Sequence, residues 1–150
     1  MVYYILINSG DYKIGLNETK TFYSIVEENN IGFLLYVSYD SEFIVKVVLP
    51  EDANVQHGHP FIHTNKMILL DKIKVSEFIK DLKNRMLIVS SHGGGLYLLP
   101  RLEEQAEELC LEAVKYDGNA LQCIKKQTSD MCSIAIMQNS TSKQYIKTHT

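Results

Sequence analysis

The sequence predicts an α+β fold: a β-rich N-terminal domain followed by a helical C-terminal tail with two helix-turn-helix repeats. Three observations carry that expectation. Runs rich in β-branched and aromatic residues, each closed by turn-forming residues, fill the first 70 positions. From Asp71 onward the apolar residues change from alternation to helical spacing. The tail also matches itself at a constant offset of 22 residues. The expected domains are residues 1–83 and 84–150.

The elements follow in chain order. Residues 2–8 are aromatic and β-branched and end at Ser9-Gly10-Asp11, a turn signal. Short strands are expected at 12–16 and 22–27. The apolar run 31–38, bounded by Asn29-Asn30 and Tyr39-Asp40-Ser41, also reads as a strand. Residues 43–49 are closed by Pro50, which cannot donate to a ladder. There Phe43, Val45 and Val47 share one face and Ile44, Lys46 and Val48 the other, so the strand is expected to be central. Residues 67–70 form another short apolar run. Over 71–85 the stripe Val75, Phe78, Ile79, Leu82 and Met86 predicts an amphipathic helix, with Ser76 a candidate cap near its start. Residues 86–91 fit a buried strand or a buried helix, and Gly93-Gly94-Gly95 must break either. Residues 102–116 read as a helix, with Leu102, Ala106, Leu109, Ala113 and Tyr116 on one side.

The repeat is the clearest signal. Residues 109–128 align without gaps on 131–150, with six identities: Cys110/Cys132, Ala113/Ala135, Gln122/Gln144, Ile124/Ile146, Lys125/Lys147 and Thr128/Thr150. Unrelated segments agree at about one position in twenty. Each copy reads as helix, polar turn, helix, the turns being Asp117-Gly118-Asn119 and Asn139-Ser140-Thr141. A lone hairpin cannot bury its apolar face, so the copies are expected to stack on each other and on the preceding helix or the β-rich domain.

Composition narrows the function. The chain has 150 residues, 45% hydrophobic and 22% charged, an ordinary globular balance. No apolar run approaches the ~20 residues of a membrane-spanning helix, and the N-terminus shows no basic leader, so no membrane partner and no signal peptide are expected. With 15 Lys+Arg against 18 Asp+Glu, nucleic acid is an unlikely partner. The whole net charge of −3 lies in residues 1–83, with 8 basic against 11 acidic groups, while 84–150 balance at 7 against 7. Three cysteines, Cys110, Cys123 and Cys132, with no CxxC pair, fit reduced thiols of an intracellular protein rather than a disulfide framework.

The segment LCLEAVKYDGNALQCIKKQTSDMCSIAI resembles the short tandem repeats of mimivirus-type giant viruses, a family of unknown function in which a CxxAV helix is followed by an Asn-Gly or Asp-Gly turn and an ALxxI/V helix. Residues 107–138 follow that pattern well and 139–150 loosely. The front, over roughly residues 1–83, is similar to β-rich domains that precede ankyrin and other repeats in the same viruses. The residues concerned are Tyr3-Tyr4, Gly15-Leu16-Asn17, Gly32-Phe33-Leu34-Leu35-Tyr36, the strand Ile44 to Pro50 and Asn65-Lys66-Met67-Ile68-Leu69-Leu70. Residues 87–99 look faintly like an ankyrin-type helix-turn-helix, which tips 86–91 toward helix. The resemblance implies an accessory module joined to a binding repeat, acting in the host cytoplasm or the virion, and brings no catalytic residues.

The expected function is therefore a non-enzymatic protein-interaction module with a protein partner, no cofactor, and a surface formed by Tyr116, Lys125, Lys126, Tyr145 and Lys147. The open end of the repeats suggests a homodimer. The first alternative is a metal- or small-ligand-binding protein or hydrolase. His57, His59 and His63, behind Glu51 and Asp52, carry ligand types for zinc or copper, although the segment reads as a solvated loop. Ser90-Ser91-His92-Gly93-Gly94-Gly95 has the outline of an oxyanion loop, yet no GxSxG elbow accompanies it, and no GKS/GKT or GxGxxG marks a phosphate cradle. Glu104, Glu108 and Glu112 make an acidic stripe without the Glu-x-x-His of di-metal helices, which reads as a solvated face. The second alternative is weak nucleic-acid binding through Lys115, Lys125, Lys126, Lys143 and Lys147.

Overall fold

A computed structural model describes residues 1–8, 12–38 and 40–148. The turn signal at 9–11, Tyr39 of the turn at 39–41 and the repeat's Thr150 lie outside the described residues. The architecture is α+β, an antiparallel sheet in the N-terminal part and helices in the C-terminal part.

Five strands build the sheet: β1 (Tyr3–Ile7), β2 (Gly15–Glu27), β3 (Phe43–Val48), β4 (Val55–His57) and β5 (Phe61–Lys74). Their order is β2-β1-β3-β5-β4, all pairs antiparallel, and β2 also pairs β5. Strands β2, β1, β3 and β5 thereby close on themselves. Alternation along β1 and β3 then serves two cores. Tyr3, Ile5, Ile7, Val45 and Val47 point into the ring with Ile25, Met67 and Leu69. Tyr4 and Ile44 point outward into a second core shared with the helices. The apolar character of both faces of β3 has this cause.

Several expected elements differ. The strands expected at 12–16 and 22–27 are one strand, β2, which slips register between Glu18 and Tyr23. The run at 31–38 is helix α1 (Ile31–Val37), not a strand. Its buried residues Ile31, Leu34 and Leu35 stand at helical spacing, and Gly32 lets it approach the later helices. The run at 67–70 is part of the 14-residue β5, which extends through Lys74 and displaces the start of the helix expected over 71–85. That helix is two: α2 (Val75–Phe78) and α3 (Leu82–Val89). Ser76 lies inside α2; the cap that begins a new helix is Asp81, whose carboxylate accepts from the amides of Lys83 (2.7 Å) and Asn84 (3.2 Å). Leu82, expected on the apolar stripe, is 60% exposed. Residues 86–89 are helical, as the resemblance suggested.

After α4 (Gly94–Leu98) and a 3-10 turn over Leu99–Arg101, the expected helix at 102–116 is shortened to α5 (Glu107–Tyr116). Residues 102–106 are non-helical: Leu102 is buried in the core, and Gln105 is committed to backbone groups of Leu99, Cys123 and Lys125. The tail continues with a 3-10 segment, Gly118–Cys123, then α6 (Ser129–Gln138) and a 3-10 segment, Ser140–Tyr145. Corresponding elements thus begin 22 residues apart, with 3-10 turns in place of the expected second helices. Of the expected acidic stripe, Glu108 and Glu112 lie on α5 and Glu104 does not.

One core joins sheet and helices. It runs from Tyr4, Val26, Leu35 and Ile44 through Ile88 and Leu98 to Ala113, Leu121 and Ala135. The glycine triplet belongs to it. A Cβ on Gly94 would meet the Ile88 carbonyl, and one on Gly95 would lie 2.8 Å from the Cβ of Ala120. Gly93 has φ +71°, where side chains are strained. These glycines are close-packing positions rather than a solvent-exposed hinge. On the facing helix α1, a Cβ on Gly32 would lie 2.5 Å from the Ile88 carbonyl and 2.7 Å from the Gly94 Cα. The Gly32 amide donates to the buried Ser91 hydroxyl (2.7 Å), which donates onward to the Ile88 carbonyl (2.7 Å).

Candidate interaction surface

The helical part is a stack of three tiers, residues 83–104, 105–126 and 127–148. Their junctions are held by side chains that reach backbone. Gln105 donates through Nε2 to the carbonyls of Leu99 (2.8 Å) and Cys123 (2.9 Å), and accepts at Oε1 from the Lys125 amide (2.8 Å). Gln127, 22 residues on, donates to Leu121 and Tyr145 (2.9 Å each) and accepts from the Lys147 amide (2.9 Å). The amine of Lys125 donates to the carbonyls of Leu102 (2.6 Å) and Glu103 (2.9 Å), and that of Lys147 to Ile124 (2.5 Å). Asp117 and Asn139 each accept from the amide two residues on. Between the last two tiers, Gln138 accepts from the Gly118 amide (2.7 Å) and donates to the Tyr116 carbonyl (3.0 Å), while Asn139 donates to Asn119 Oδ1 (3.2 Å).

This arrangement divides the five residues expected to form a binding surface. Lys125 and Lys147 spend their amines on carbonyls of the preceding tier, which removes most of their reach toward an external anion. Tyr145 is half-buried against the core. Tyr116, 45% exposed, and Lys126 remain at the surface. Met137, at the end of α6 as Tyr116 is at the end of α5, is 87% exposed and was not anticipated. The structuring glutamines were missed because the self-match was begun at Leu109. Carried back four positions it would have added the identity Gln105/Gln127.

The histidine group is not assembled as expected. His57 ends β4 and His63 lies in β5, where Gln56, not His57, is its cross-strand partner. The segment is strand and turn rather than a loop, and His63 Nδ1 lies 3.0 Å from the Ser24 hydroxyl. Among the described residues no three His, Cys, Asp or Glu side chains stand together as metal ligands. Instead His59 meets His92 at a cleft of about 270 Å³ with Asn30, Phe33 and Pro60. The Phe33 ring lies 6.0 Å from the His92 ring and 5.7 Å, edge on, from that of Phe61.

Electrostatics adds little that is catalytic. Burial pushes the Cys110 thiol up, helped by Glu107, and burial does the same at Cys123, partly countered by Lys147. Raised thiol pKa values make poor nucleophiles. All three cysteines are free. Tyr4, buried beside Glu28, is pushed up to about 12. Among the described residues no helix is long and apolar enough to cross a membrane.

Comparison with protein-family models, with curated proteins and with solved structures returns no match.

Proposed function

We propose that this chain is a non-enzymatic interaction module, of the kind that large DNA viruses deploy in the host cytoplasm or carry in the virion, and that its partner is a protein. The observation that carries the reading is the exposure of Tyr116 and Met137 near the ends of the adjacent helices α5 and α6, in a stack tied together by its own side chains. Stacked helical tiers give an extended surface. Tyrosine and methionine are enriched at protein interfaces, where lysine is depleted. Of the lysines expected to bind, Lys125 and Lys147 are engaged within the fold, which disfavours nucleic acid as the partner.

A photo-cross-linking residue placed at 116 or 137, in the full chain added to host-cell extract, tests the reading. Discrete protein adducts are expected at both positions and at much lower yield from Lys20 on β2. Equal labelling from all three positions would remove the proposal. The cleft between His59 and His92 supports a second reading, a small-ligand site with aromatic walls and two imidazoles. Thermal stabilisation by a planar aromatic carboxylate, abolished by His92→Ala, would favour it.

A further inference from the structure

Each tier junction has two unlike sides. The leading sides of the second and third tiers offer donors: the Nε2 of the first-position glutamine, the lysine amine at position 21 and, in the third tier alone, the Nε2 of Gln138. The trailing side of the tier before each offers carbonyls and a groove of apolar side chains. At the second tier that groove is filled. Cys110, Val114 and Ile124 are 1%, 0% and 0% exposed beneath the third tier. The equivalents in the third tier are Cys132 and Ile136, both only half-buried, and Ile146, 37% exposed. They line an open groove of about 390 Å³ together with Gln127, Thr128 and Lys147. The carbonyls that correspond to Leu121 and Ile124, the acceptors of Gln127 and Lys147, are those of Lys143 and Ile146. Among the described residues only the Ile146 amide reaches Lys143, and no side chain donates to either carbonyl.

We infer that this face is a docking site for a further helical tier of the same 22-residue build, with glutamine at its first position and lysine at its twenty-first. The inference deepens the interaction reading and rests on it. Continuity with the junction between the second and third tiers carries it: the same groove, the same acceptors and the same apolar positions recur, and there a Gln/Lys-bearing tier is what covers them. The junction is head-to-tail, so its two sides complement each other and not themselves. Two copies of this chain meeting at this face would set carbonyl against carbonyl. The first tier cannot play this part for a second copy: its first and twenty-first positions are Lys83 and Glu103, and α1 packs against its helices. The occupant is therefore a tier whose leading side is open, not the trailing face of a second copy.

The test adds such a tier in two forms. In the first, a synthetic peptide with the sequence of residues 127–148 is titrated into the isotope-labelled full chain. Amide shifts are expected to gather at Ile136, Ser140, Lys143 and Ile146, and a peptide carrying Gln127→Ala should bind at least tenfold more weakly. In the second, residues 127–148 are repeated once after Thr148, so that tethering removes dependence on the peptide's own folding. Amide exchange at Ile136 and Ile146 should then slow at least tenfold, and an alanine at the first position of the added copy should reverse it. If the tethered copy leaves that exchange unchanged, the face does not take such a tier and the inference fails. A two-fold dimer of the unaltered chain through Ile146, seen by sedimentation, would also overturn it. Cross-linking at Tyr116 is independent of both outcomes, so the interaction reading can survive this failure.

Discussion

The sheet and the tier stack are held together by different chemistry. Neighbouring strands are joined through backbone amides and carbonyls, which every residue but proline carries, so the sheet constrains the side chains mainly to alternate between two cores. Neighbouring tiers are joined by side chains that reach backbone, and only a few residue types at fixed intervals can do this. The stack therefore leaves a 22-residue period in its sequence, and the sheet leaves only a pattern of polarity. The two regions nevertheless share one core, which makes their independence a measurable question.

The largest expected effect attacks that shared core. Gly32→Ala forces a methyl into the contact between α1 and α4 and disturbs the Ser91 hydrogen bonds. A loss of about 3 kcal/mol is expected, a fall in Tm of roughly 6–12 °C. Circular dichroism and near-ultraviolet tyrosine signals should fall together; a sheet that survives the loss of helix would separate the regions. Next in size, Gln105→Ala strands two carbonyls and an amide and should cost about 2 kcal/mol in urea unfolding. Gln127→Ala breaks the same pattern at the outer junction, so it should accelerate exchange in residues 127–148 while leaving the global midpoint nearly unchanged. Equal global losses from both glutamines would show that the stack is not divisible into tiers.

Lys125→Met should cost about 1 kcal/mol, because its amine holds two carbonyls, whereas Lys126→Met should stay within roughly 0.5 kcal/mol. That pair checks the division between structural and surface lysines directly. The smallest effect is alkaline. Tyr4 is raised from 10.0 to about 12 in the fold, first by burial and then by Glu28. The folded state holds this proton more tightly, so the contribution is intact below pH 10 and is lost as pH rises toward 12. Tyr4→Phe should flatten the stability profile in that window and nowhere else.

How much of this was legible follows from the same contrast. Strands β1 and β3 alternate, and both are legible as strands, with the two faces of β3 assigned from its residues. Strand β5 was reduced to four residues because its alternation slips around Asn65. There Thr64 is fully buried, and its hydroxyl donates to the Lys66 carbonyl at 2.8 Å across the irregularity. The run at 31–38 is too short for its pattern to separate strand from helix, and its helix packs on α3 and α4, some sixty positions away. The last two tiers were visible as a repeat, yet the first was not. Residues 83–104 share only Leu87/Leu109 and Leu99/Leu121 with the next tier, since that tier packs on α1 and the sheet instead of on another tier. The cleft joining His59 to His92 depends on tertiary approach, which no local pattern encodes.

The shared core has a consequence for the order in which the chain is made. The sheet is complete once Lys74 has emerged from the ribosome, and its inner cluster needs nothing further. Its outer face does. Tyr4, Val26 and Ile44, together with α1, belong to a core completed by Val75, Phe78, Ile88, Val89, Leu98, Leu99 and residues beyond. Until those residues follow, a finished sheet carries an apolar side that is only partly covered, and exposed apolar surface on a partly folded chain invites aggregation. The interval is short because the covering helices follow immediately in sequence. Lengthening the segment around Asp81 would prolong that exposure.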